Sequence, residues 1–70
     1  MKNGTLIYDP SMGRFDILYA AGNNYGGLHC GTIMEALISE KWIPTRIEYA
    51  DDWYLIGIPG KALSGLPVRI

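Results

Sequence analysis

Residues that bend or stop a backbone recur every several positions along these 70 amino acids, and that spacing limits the folds open to the chain more than any other feature. Nine glycines and four prolines, with Asn and Asp among them, leave room for short strands and none for a long helix. The expectation is therefore a mostly β fold. Thr5 to Tyr8 reads as a first strand, and Asp9 to Gly13 as a turn with Pro10 at its second position. Arg14 to Tyr19 then returns, with Phe15, Ile17 and Tyr19 on one face.

The stretch Gly22 to Gly31 carries four glycines in ten residues and reads as a loop, or as a bulged approach to the next strand. Residues 32–40 fit two descriptions. Thr32 and Glu35 have capping-box spacing, and Ile33, Met34, Leu37 and Ile38 would make one stripe of a short helix. As a strand, the same residues put Met34, Ala36 and Ile38 on one side and Ile33, Glu35 and Leu37 on the other. The lack of a glycine stop before Trp42 favours the strand.

WIPTRIE (42–48) and WYLIGI (53–58), separated by Tyr49 to Asp52, form the clearest hairpin. With the turn on those four residues, Glu48 faces Trp53, so Trp42, Arg46, Glu48, Trp53 and Leu55 share one side. Ile43, Thr45, Ile47, Tyr54 and Ile56 take the other. Leu66, Val68 and Ile70 close the chain as a last strand, which Pro67 places at a sheet edge. Five to six short strands of this kind fit a small SH3-like barrel or a strongly bent antiparallel sheet.

A single domain of this length buries only about 60% of its unfolded surface and needs a staple. Cys30 is the only cysteine and His29 the only histidine, so an internal disulfide and a four-ligand zinc site are both excluded. The remaining staple is self-association, which the apolar residues on both sides of the hairpin favour. Six basic and seven acidic residues are scattered without blocks, which counts against nucleic acid as a partner. No stretch has the length of a membrane span, and the opening MKNGTLIYDP has no apolar run of signal-peptide length. With one unpaired thiol, the expected compartment is the cytoplasm of a bacterial host cell.

The segments GLHCG (27–31), WIPTRIE (42–48), WYL (53–55) and GLPVRI (65–70) together resemble a family of small domains of unknown function found in Firmicutes, their phages and mobile elements. The resemblance runs from Gly4 to Arg69. It implies a phage or mobile-element setting and no activity, cofactor or catalytic residue. The turn at Ser39 to Lys41 departs from the Asp-Gly type expected there.

Catalysis finds little support in the residues. Neighbours on a strand point to opposite faces, so His29 and Cys30 do not pair as base and nucleophile unless the glycine-rich backbone bends there; the expectation is a buried, structural Cys30 and a His29 held by a backbone hydrogen bond. Asp51 and Asp52 read as turn caps. No phosphate-binding, dinucleotide or HExxH pattern is present. The expected function is a non-catalytic module that docks a host or element protein, with a defence system as its target. Its binding residues are Trp42, Arg46, Glu48 and Trp53, with Arg46 stacking on a tryptophan, and Tyr25 and His29 beside them. Two alternatives use the same residues: an oligomer that sequesters a nucleotide signal between subunits with Arg46, His29 and an aromatic, and a nucleic-acid-binding small barrel.

Overall fold

The structure, a computed structural model, describes residues 1–58, 60 and 62–70. It contains β1 (Asn3–Asp9), β2 (Arg14–Tyr19), β3 (Ile33–Ile38), β4 (Lys41–Tyr49), β5 (Trp53–Leu55) and β6 (Pro67–Arg69). They form one sheet in the order β2-β1-β6-β3-β4-β5, and every neighbouring pair is antiparallel. No helix occurs among the described residues, so 32–40 is a strand and its turn.

The sheet bends but does not close into a barrel. β2 and β5 lie at opposite ends of the strand order and share no ladder. Two local features prevent closure. β5 is three residues long and folds back at once, with Leu55 bridging Ile58 around Gly57, whose φ is +77°. The open side of β2 is already taken by the glycine-rich loop: Tyr25 and Leu28 donate backbone N–H groups to the Ile17 and Phe15 carbonyls, and Tyr19 donates to Asn23. Near the two ends the Trp53 indole Nε1–H donates to the Gly13 carbonyl at 3.3 Å.

The concave face holds the core. Leu6, Phe15, Ile17, Tyr19, Met34, Ala36, Ile47, Leu55 and Val68 enter it from all six strands, and Leu28, Ile58 and Leu63 are added from loops. The expected faces of β2 and β3 are the observed ones, with Ile38 packed against the core and Ile33 turned to solvent. Gly4 is needed where β1 crosses β2. A Cβ there would stand 2.5 Å from Ile17 Cγ2 and 2.8 Å from the Leu18 carbonyl oxygen.

Two expectations about strands are corrected. In the β4–β5 hairpin Tyr49 itself pairs with Trp53, and Glu48 faces Tyr54, because the turn is Ala50 to Asp52 and not four residues. This one-residue difference moves Trp53 and Leu55 to the concave face and puts Tyr54 beside Arg46 and Glu48. Pro67 is not on an edge, since β6 lies between β1 and β3. It is tolerated as the first residue of its strand. Leu6 and Leu66, and Lys2 and Ile70, bond across the β1 side, so the missing N–H of Pro67 faces β3, whose ladder has ended at Val68.

The β3–β4 hairpin is formed as expected, through a two-residue turn of Ser39 and Glu40, with φ of +49° and +66°, built without glycine or asparagine. Positive φ at both positions is what such hairpins require and what L side chains resist. Glu40→Gly is therefore expected to raise the unfolding free energy by about 0.5 to 1 kcal/mol. Denaturant titration measures this, and an unchanged or lower midpoint would contradict the strain.

Candidate functional site

Asp16 decides where the loop residues stand. It lies on the convex side of β2, yet it is buried, and its Oδ1 accepts the backbone N–H groups of Ile17, Gly26 and Gly27 at 2.8, 2.9 and 2.8 Å. Burial pushes its carboxyl pKa up, but these three donors together with Asn24 outweigh that and hold it below the ordinary value. Gly26 and Gly27 present their N–H groups with φ of +116° and +101°, a backbone that side chains resist. Beyond them the chain drops Leu28 into the core, and Arg14 closes the loop by donating to the Leu28 carbonyl at 3.0 Å.

The six residues singled out from the sequence do not form one site. Tyr25 is exposed on the loop beyond the β2 edge. His29 is also exposed, and its Nδ1 faces the Arg14 guanidinium at 2.8 Å, so its side chain meets an arginine and not the backbone group expected. The arginine can only donate, so this contact makes Nδ1 an acceptor. Cys30 is exposed, not buried, because only Leu28 of this stretch points inward.

Trp42, Arg46 and Glu48 do share the convex face of β4. Arg46 Nε–H donates to Glu48 at 2.8 Å, and both are partly open to solvent. Arg46 does not stack on a tryptophan. Trp42 is covered by Arg69, whose guanidinium carbon sits 4.4 Å from the ring centroid while its Nε–H donates to Glu35. Trp53, carried to the concave side by the register, packs edge-on against Tyr49 with centroids 4.9 Å apart.

Around Arg46 the register assembles a surface. Ile33 on β3 pairs with Arg46, and the Ile56 N–H donates to the Arg46 carbonyl, so Ile33, Arg46 and Ile56 form a row across three chain segments. Pro44 adjoins them, and the shallow depression that these residues line has a volume of about 270 Å³. Glu48 and Tyr54 form the next row, and Leu37 and Trp42 lie at the far end. Ile33 is 73% exposed. The sequence placed Ile33 on the side away from Met34 but gave no sign that this side stays open. Arg69 and Asp16 were missed as well; the available sign for Asp16 was a carboxylate between Phe15 and Ile17 inside a strand.

A model of a domain of unknown function, DUF5348, matches residues 4–70. The chain belongs to the DUF5348 family. Its fold is similar to the crystal structure of a protein from Ruminococcus gnavus, a Northeast Structural Genomics Consortium target, with TM-score 0.91 and 46% identity over 99% of this chain and 100% of that one. No curated protein matches the chain. No helix among the described residues is long and apolar enough to cross a membrane.

Two expectations test this arrangement. The Asp16 carboxyl has a folded pKa below its unfolded value, so its stabilisation is present above the unfolded pKa and is lost as pH falls through the folded one. Wild-type stability should thus fall as pH drops below about 5, whereas Asp16→Asn, already less stable by about 2 kcal/mol or more, should show a flatter acid limb. Parallel acid limbs in urea titrations would contradict the role given to Asp16. Separately, native Cys30 should react with a thiol reagent as fast as it does in the unfolded chain. Protection until unfolding would show that the loop packs differently.

Proposed function

We propose that the domain is a non-catalytic binding module that docks a protein partner through the convex face of β3, β4 and β5. The observation that supports this most is the row Ile33, Arg46 and Ile56, with Ile33 exposed at the start of β3. An isoleucine there gains nothing from water, while an arginine steadied by Glu48 beside apolar side chains has the make-up of an interface anchor. Trp42 and Tyr54 extend the surface. A phage or mobile-element setting, with a host defence protein as target, is the form this proposal takes from the sequence resemblance.

Self-association through the same face is part of the proposal, because a second copy is one of the proteins able to cover it. The nucleotide-sequestering alternative is less well supported. Within one chain Arg46 is engaged by Glu48 and His29 by Arg14, so the two do not converge on a common ligand.

Arg46→Ala should change stability by about 0 to 1 kcal/mol, as expected for an exposed ion pair. It should weaken binding by about 2 kcal/mol or more, with Arg46→Lys recovering only part, because lysine keeps the charge and loses the planar fork. Ile33→Asp should abolish binding with the fold intact. The partner comes from cross-linking in a bacterial lysate followed by affinity measurement on the purified protein, and sedimentation shows whether that partner is a second copy. Equal affinities for wild type and all three variants would remove the docking role from this face.

A further inference from the structure

The chain shows how it holds a guanidinium. Arg69 lies over the Trp42 ring while its Nε–H donates to the Glu35 carboxylate, and Lys2 is likewise placed over Tyr19 at 4.1 Å. Trp53 offers the same two partners, an indole and a neighbouring carboxylate, with no cation over it among the described residues. Phe15, Asp52, Trp53, Leu63 and Ser64 line a pocket of about 210 Å³ where the ends of the sheet approach. That volume is below the ~300 Å³ at which pockets for drug-sized ligands begin, and it suits a single side chain.

The walls are held before any ligand arrives. Trp53 is fixed by its bond to the Gly13 carbonyl and its edge contact with Tyr49. Phe15 is fixed by an edge contact with Tyr8, with centroids 5.2 Å apart. Asp52 Oδ1 accepts the Trp53 backbone N–H at 2.8 Å, which orients the carboxylate, and Oδ2 makes no hydrogen bond among the described residues. Ser64 adds a hydroxyl acceptor. Exposed Asp51 beside Asp52 adds a second negative charge at this end of the molecule.

We infer that this pocket takes the arginine side chain of a partner polypeptide, the guanidinium stacking on Trp53 and donating to Asp52. Cation–π attraction and a charge-assisted hydrogen bond act together there, as they do on Arg69. The site lies on the opposite side of the sheet from Ile33 and Arg46, so it stands or falls independently of the docking face.

The test follows the two indole N–H resonances of the folded domain by NMR during titration with N-acetyl-arginine amide, N-acetyl-lysine amide and N-acetyl-citrulline amide. Arginine amide should shift the Trp53 resonance saturably at millimolar concentration and leave that of Trp42, already covered by Arg69, in place. Lysine should bind more weakly, and citrulline, which keeps the shape without the charge, should not bind. Asp52→Asn preserves the Oδ1 acceptor that orients Trp53 and should weaken arginine about fivefold. Equal response to citrulline, equal binding by Asp52→Asn, or a Trp53 resonance that never moves would each overturn the assignment.

Discussion

One carboxylate oxygen, Oδ1 of Asp16, organises the part of this domain that regular secondary structure does not. A loop with this many glycines has a large conformational entropy to lose, and the sheet alone gives it little reason to settle. Three backbone N–H groups converging on a buried anion supply that reason. Once Gly26 and Gly27 are fastened, Leu28 is delivered to the core and the β2 edge is covered. The cover also blocks the position a closing strand would need, so the same anchor that completes the core keeps the sheet open.

Much of the fold was legible because alternation is a robust signal. Phe15, Ile17 and Tyr19 repeat with the period of a strand, and Met34, Ala36 and Ile38 do so even though a helical reading of 32–40 competes. What was not legible depends on single residues in turns. Whether Tyr49 belongs to the strand or to the turn is invisible in its chemistry, yet it decides which face receives Trp53. Ser39 and Glu40 carry no sign of the left-handed turn they form, because its cost is met by the pairing of the strands on either side. Pro67 misled for a related reason: proline excludes a hydrogen bond on one side only, and β6 needs none there.

The binding residues were legible in type but not in grouping. Tryptophan and arginine were sought as neighbours along β4, whereas the stacked pair is Trp42 with Arg69, brought together across the sheet by β6. This contact has a consequence for Arg46. With Arg69 covering Trp42 and paired to Glu35, the tryptophan of the convex face is already engaged, and the open part of that face shifts toward Ile33, Pro44 and Ile56.

The two sides of the sheet thus place apolar surface in water by different routes. On the concave side, β5 is too short to finish the sheet, and the gap is bridged by a tryptophan, which leaves a notch beside an acidic turn. On the convex side β3 is paired with β4 along its whole length, and Ile33, its first residue, stands exposed beyond the β6 ladder, which reaches only as far as Glu35. The glycine-rich loop, the longest connection that might have covered it, is held at the other end of the sheet by Asp16. Loosening the anchor at Asp16 would disturb the loop and core around Leu28 before it altered the face that carries Arg46.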